Sequence, residues 1–244
     1  MMKLGICDYG IGGIGLYQKI REKVSTDIVY FSDAGFIPYG KVSEHVLAKR
    51  IEKVLDFFTQ QGVSKIAVAC NSASTVISET ENLMGMLSSG IRSVEELNIQ
   101  KVGVVGGGRT IASNIFIKAF EKKGIHTKQA NAQAISIHVE AGDIDSEELK
   151  TDLIKIFTPF SDYKHILLAC SHYPAVSKHI KKILPFTNLI DPVEKMGEAI
   201  LDHWDLPKGN YTTTWYTSGN VKQMQLSAER AFNEKIQHIE YIQL

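Results

Sequence analysis

Nowhere in the 244-residue chain does an apolar run approach the ~20 residues that span a bilayer. The amino terminus does not read as a secretory signal, because Asp8 interrupts its apolar stretch and no small-residue cleavage site follows. An excess of either charge is missing too: 27 basic side chains meet 27 acidic ones. That balance argues against a nucleic-acid binder, which carries a basic excess to neutralise phosphates, and against a polybasic protein of the membrane surface. Cysteine is scarce, with three residues in all. Three thiols cannot all pair, and a chain of this length needs no disulfide staples. Each cysteine is therefore expected to be a reduced, buried thiol in a cytoplasmic protein. Low-complexity segments and long Pro- or Gly-rich linkers are absent as well.

What is present is apolar material in short bursts. Hydrophobic residues make up 44% of the chain, ample for a buried core in one large domain or two small ones. Lys3–Cys7 (KLGIC), Asp27–Phe31 (DIVYF), Lys65–Ala69 (KIAVA), Lys101–Val105 (KVGVV), His126–Ala130 and His165–Ala169 (HILLA) read as strands. Between them the spacing predicts helices over Gly15–Val24, Ser43–Gln61, Thr110–Lys123 and Ser146–Phe157, and another after Pro174. Such alternation implies an α/β fold with mainly parallel sheets, buried on both faces by flanking helices.

The chain also echoes itself. KLGIC at 3 has a counterpart in KVGVV at 101, and KIAVAC ending at Cys70 has one in HILLAC ending at Cys170. Both late strands end in Ala-Cys and run into a polar turn, Asn71-Ser72-Ala73-Ser74 in one case and Ser171-His172-Tyr173-Pro174 in the other. Two α/β halves built on one plan explain the echo.

Two glycine loops invite a nucleotide reading. Gly10-Ile11-Gly12-Gly13-Ile14-Gly15 satisfies G-x-G-x-x-G, with Asp33 where a ribose-binding carboxylate would sit. Asp8 opposes that reading, since a carboxylate there repels a pyrophosphate. The Gly103–Thr110 segment fits the P-loop spacing but carries Arg109 in place of Lys, in a loop too short to wrap phosphates.

In open α/β sheets ligands bind outside the carboxyl ends of the strands, where Cys70 and Cys170 are both expected. At the ordinary thiol pKa near 8.5, reaching the thiolate at neutral pH costs roughly 2 kcal/mol. The amino end of a following helix and a neighbour such as His172 can supply that. Four readings compete: buried structural thiols, a disulfide, a metal site with His172, or two thiols facing each other across a cleft. The metal reading is weak, because C-x-H is not a usual zinc spacing and no C-x₂₋₄-C exists. In the last reading one thiolate removes a proton from a carbon and the other thiol delivers one to the opposite face.

At these residues the chain resembles the aspartate/glutamate racemase family, and within it the glutamate racemases. Asp8-Tyr9-Gly10-Ile11-Gly12-Gly13 resembles the family's D-S-G-x-G-G, and Asp33 with Pro38-Tyr39-Gly40 its D-x₄-P-Y-G. The two cysteine segments resemble A-C-N-T-A-S and G-C-T-H-Y-P. Val139-Glu140 and Thr217-Ser218-Gly219 fall on further family positions. The resemblance implies two pseudo-symmetric domains, residues 1–94 plus 206–244 and residues 95–205, with the active site in the interdomain cleft. It implies cofactor-independent racemisation of an acidic amino acid, glutamate first, supplying D-glutamate to the cell wall. Cys70 and Cys170 would be the opposed acid/base pair, assisted by Asp8 and His172, with Glu140 in the site. Tyr9, Pro38, Tyr39, Gly40, Asn71, Ser72, Thr110 and Ser171 would hold the amino acid. No metal, cofactor, nucleic acid or membrane enters, and a homodimer is compatible with it. Two positions depart from the family: Tyr9 stands for a substrate-binding Ser, and Gly107 for a Thr whose hydroxyl meets the substrate. They leave open a related isomerase or lyase acting on another small carboxylate, or a non-catalytic homologue whose pocket Tyr9 plugs.

Overall fold

The computed structural model describes residues 3–206 and 210–244. Residues 1, 2 and 207–209, which fall in the expected first domain, lie outside the described residues. In chain order the first elements are β1 (Lys3–Asp8), α1 (Ile14–Arg21), β2 (Ile28–Ser32), α2 (Glu44–Gln60), β3 (Val63–Val68), α3 (Asn71–Ser74), β4 (Leu83–Gly85) and α4 (Met86–Glu95). They continue with β5 (Lys101–Gly106), α5 (Gly108–Ala112), α6 (Ile115–Glu121), β6 (His126–Asn131), α7 (Gln133–Glu140), α8 (Glu147–Phe157), β7 (His165–Ala169), α9 (Ser177–Ile183), β8 (Asn188–Ile190) and α10 (Pro192–His203). The last are β9 (Thr213–Thr217), α11 (Val221–Phe232) and β10 (Glu240–Tyr241).

The strands form two sheets, in the orders β10-β9-β2-β1-β3-β4 and β6-β5-β7-β8, and every pairing within them is parallel. With β9 and β10 set aside, the orders are the same. β1 corresponds to β5, β2 to β6, β3 to β7 and β4 to β8, so the KLGIC/KVGVV and KIAVAC/HILLAC echoes fall on equivalent strands. β9 and β10 extend the first sheet beyond β2, although they follow the second sheet in sequence.

Burial explains why these segments are strands. β2 is buried throughout and β7 at all but its first residue, as continuous apolar runs covered on both faces should be. β6 (HTKQAN) is exposed or half-buried along its length, which suits its place at an edge. α2 begins where the Ser43 hydroxyl caps the Val46 N–H, and it turns Leu47, Ile51, Val54, Phe57 and Phe58 into the core. α8 starts on the same device, the Ser146 hydroxyl accepting the Leu149 N–H at 3.1 Å.

Two expectations need correction. The helix expected over Thr110–Lys123 is two, α5 and α6, because Asn114 adopts φ 54°, a left-handed conformation that no α-helix continues through. Asp33 is not free to meet a ribose. It is fully buried, and Arg50 bonds both its oxygens at 2.8 and 2.5 Å, joined by the hydroxyls of Tyr39 at 2.5 Å and Ser218 at 2.7 Å. Among the described residues no helix is long and apolar enough to cross a membrane.

Candidate active site

The carboxyl ends of β1 and β3 in one sheet face that of β7 in the other. Asp8 closes β1, Cys70 follows β3 and caps α3, and Cys170 follows β7 directly. A cavity of about 30 Å³ lies between them, lined by both cysteines together with Tyr9, Tyr39, Gly40, Asn71, Ser72, Ser171 and His172. Nine of the thirteen residues expected in the site therefore meet at one cavity. The other four stand behind or beside it. Asp8 lies behind Ser171, its Oδ2 accepting the Ser171 hydroxyl at 2.7 Å and its Oδ1 the Gly10 N–H at 3.1 Å. Glu140 lies behind His172, and Thr110 behind Ser72, with 3.4 Å between the two hydroxyl oxygens. Pro38 lines a separate outer vestibule of about 280 Å³, shared with Tyr9, Gln133, Ser136, Ile137, Glu140, Ala141 and Gln223.

The glycine loop has its explanation here. It packs against the other half of the molecule, and the Ile11 N–H donates to Glu140 Oε2 at 2.9 Å. A Cβ on Gly10 would overlap the Glu140 carboxylate, and one on Gly12 would run into Ser171 and the His172 ring. The glycines permit a close approach between halves, which is why the motif imitates a dinucleotide fingerprint.

The two thiols have unlike surroundings. Burial, and then the Asp8 charge, push the Cys70 pKa well above its ordinary value, although the Ala73 and Tyr9 N–H groups pull the other way. The Ala73 N–H at the helix start does pull the pKa down as expected, but burial beside a carboxylate outweighs it and the net direction is upward. Cys170 Sγ lies 3.8 Å from His172 Nδ1, and His172 Nε2 lies 2.7 Å from Glu140 Oε2. Burial pushes the His172 imidazole down, but its bonds to Cys170 and Glu140 outweigh burial and hold its pKa well above 6.5. The raised value favours the imidazolium form, and the ring's two nitrogens lie against the sulfur on one side and the carboxylate on the other. Burial raises the Asp8 pKa, against the opposing pull of His172, Ser171 and the Gly10 N–H. Cys7 is inert: it is 3% exposed inside β1, and burial lifts its thiol far above the ordinary range.

Asn71 is 3% exposed and lines the cavity, yet neither side-chain amide atom has a partner among the described residues. A buried amide left unpaired costs about 1–3 kcal/mol, so this one is built to meet a polar ligand. Among the described residues no cluster of His, Cys, Asp and Glu could hold a metal ion.

The sequence reading missed Gln133 and Ser136, which line both cavities. Gln133 accepts the Gly108 N–H at 3.1 Å and donates to the Ser136 hydroxyl at 2.7 Å. They open α7 just past the carboxyl end of β6, and that position was the available signal.

The Asp/Glu/Hydantoin racemase family model matches residues 12–196. The chain belongs to this racemase family. Among curated members it is 28% identical to the glutamate racemase of Hydrogenobaculum sp. (strain Y04AAS1), covering 88% of this chain and 87% of that one. It is 30% identical to the glutamate racemase of Persephonella marina, covering 78% of each. Its fold matches the crystal structure of glutamate racemase from Francisella tularensis in complex with D-glutamate, with a TM-score of 0.89 and 24% identity over 99% of this chain and 97% of that one. The racemase-family fold is thereby shared along the whole described chain.

Proposed function

We propose that this chain inverts the α-carbon of an acidic amino acid, glutamate first, without a cofactor, using Cys70 and Cys170 as opposed acid and base. The observation that carries this reading is that two thiols at equivalent strand ends of two equivalent sheets line one cavity with unlike neighbours, Asp8 for Cys70 and His172 for Cys170. Cys170, as a thiolate beside the His172 imidazolium, removes the α-proton. Cys70, held neutral by burial and Asp8, delivers its own proton to the opposite face. The reverse direction starts from the exchanged protonation states, with Asp8 and His172 assisting transfer at their respective sulfurs. Glu140 acts through His172 as a positioning residue.

The same reading gives the lining groups their roles. Negative charge develops on the substrate as the α-proton leaves, and the Asn71 amide, the Ser72 and Ser171 hydroxyls and backbone N–H groups near Gly40 stabilise it. The two sheets would belong to domains spanning residues 1–94 with 206–244 and residues 95–205, the cleft between them holding the substrate. The glutamate racemase names of its relatives support glutamate as substrate, and supply of D-glutamate to the cell wall is the role proposed with it.

The test is exchange in D₂O. Deuterium should enter Cα of either enantiomer of the true substrate, and Cys70→Ala and Cys170→Ala should each lower racemisation by about 10²–10⁴-fold. A wild-type protein that exchanges no α-proton across a panel of acidic amino acids would refute the reading. A second reading, an isomerase for a different small carboxylate, is favoured by one observation: Tyr9 borders a cavity of only about 30 Å³. Exchange confined to non-glutamate carboxylates would establish it instead.

A further inference from the structure

The reacting cavity, at about 30 Å³, is about a tenth the size of the vestibule beside it, at about 280 Å³. A wall residue that yields would join the two and widen the way to the sulfurs. Most of the wall is tied. Tyr39 donates to Asp33 at 2.5 Å, and Ser171 to Asp8 at 2.7 Å. His172 is held by Glu140 at 2.7 Å, and Gln133 by Ser136 at 2.7 Å and the Gly108 N–H at 3.1 Å. Cys70 and Asn71 sit at the start of α3 and are almost fully buried.

Tyr9 differs from all of these. Its side chain is half-buried, and its hydroxyl has no hydrogen-bond partner among the described residues. Tyr39 lies edge-on to it, at 5.4 Å between ring centroids. Tyr9 is also the largest side chain that borders both the small inner cavity and the 280 Å³ vestibule. The vestibule offers what an amino-acid side chain needs: neutral donors on Gln133, Ser136 and Gln223, and apolar walls from Pro38, Ile137 and Ala141.

We propose that Tyr9 is a gate and the residue that sets specificity for substrate length: when its ring swings aside, the inner cavity and the vestibule become one cleft. The α-carbon then lies between the sulfurs, and the substrate side chain runs past Tyr9 towards Gln133, Ser136 and Gln223. How far the ring yields limits how long that side chain can be. The specificity half of this proposal rests on the racemase reading above; the access half does not.

The experiment compares wild type, Tyr9→Ser and Tyr9→Phe, each checked for an unchanged thermal melting curve. The first readout is the rate at which N-ethylmaleimide labels Cys70 and Cys170, resolved by peptide mass, with buried Cys7 as internal control. Tyr9→Ser should label severalfold faster than wild type, and Tyr9→Phe, which keeps the ring, at about the wild-type rate. The second readout is kcat/KM across aspartate, glutamate and 2-aminoadipate, which differ by one methylene at each step. Tyr9→Ser should shift the aminoadipate-to-glutamate ratio upward by about tenfold, within the range one methylene commands, while Tyr9→Phe keeps the wild-type ratio.

Unchanged labelling in Tyr9→Ser overturns the gate, whatever the activity. Faster labelling with an unchanged substrate ratio overturns the specificity assignment. Faster labelling with no α-proton exchange in any of the three proteins overturns the function proposed above and leaves the gate standing.

Discussion

The two sides of the cavity are built on one plan and tuned in opposite senses. On one side, β3 ends at Val68 and delivers Cys70 to the cap of α3. On the other, β7 ends at Ala169 and delivers Cys170 to a turn carrying His172. Backbone position is thus duplicated, and chemistry is not. Cys70 has a carboxylate, Asp8, for a neighbour, and burial with that charge keeps its proton on. Cys170 instead has the His172 ring for a neighbour, its Nδ1 3.8 Å from the sulfur, with Glu140 behind it. An inverting site needs one loaded acid and one free base at the same moment. Two identical environments would supply two acids or two bases, so the unlike companions are what the chemistry requires.

Removing either sulfur breaks this comparison most severely. Cys70→Ala and Cys170→Ala should each lower racemisation by about 10²–10⁴-fold, the range of a lost general acid or base. Each variant should still exchange the α-proton of one enantiomer, a different one in each case, read by deuterium incorporation into separate D and L stocks. Exchange of the same enantiomer by both variants would contradict an opposed arrangement.

Glu140→Gln sharpens the comparison on the Cys170 side. His172 loses a charged partner and keeps a neutral one, so its NMR-monitored titration should move to lower pH. Rates with Cys170 as base should fall by about tenfold, for a bond worth about 1.5 kcal/mol. Stability follows the same ion pair. Because the folded-state pKa of His172 is raised, its contribution is complete below pH ~6.5, the unfolded value, and fades as pH rises through the folded value. Denaturation curves of wild type should lose stability across that alkaline interval, and Glu140→Gln should lose less.

Asp8→Asn acts on the opposite sulfur. Removing the charge that ranks second to burial should lower the Cys70 pKa, while the Cys170–His172 and His172–Glu140 contacts keep their partners. The pH dependence of alkylation at Cys70 alone should then shift downward. The smallest effect is expected at Ser171, which follows Cys170 in sequence yet bonds Asp8 from across the cleft. Ser171→Ala should cost about 1–2 kcal/mol in urea denaturation and move the Cys70 alkylation profile slightly, not that of Cys170.

Much of this site was legible in the chain because strand ends are legible. KIAVAC and HILLAC are apolar runs closed by a cysteine and a polar turn, and in a parallel sheet such ends converge on ligands. The α/β alternation followed from period and composition in the same way, and belonging to the racemase family followed from the motifs at those ends. Other features were hidden because they depend on partners distant in sequence. The Gly10–Gly15 loop carries a nucleotide-like pattern, and only its contact with Glu140, Ser171 and His172 shows why it needs glycine. Asp33 looked available to a ligand until Arg50, Tyr39 and Ser218 closed around it. Gln133 and Ser136 carry no motif at all and enter the site through the position of α7.

The sequence by itself determined the alternation of strands and helices, the doubled plan and the two cysteines at equivalent strand ends, since each depends on local pattern alone. Only the tertiary structure decided that those two thiols differ. A thiol's pKa depends on burial and on charges from residues far along the chain, and the fold sets Asp8 beside Cys70 and joins Glu140 to Cys170 through His172. It also decided where the ring of Tyr9 stands, between a reacting cavity of about 30 Å³ and a vestibule of about 280 Å³, because the size of a gap depends on both of its walls.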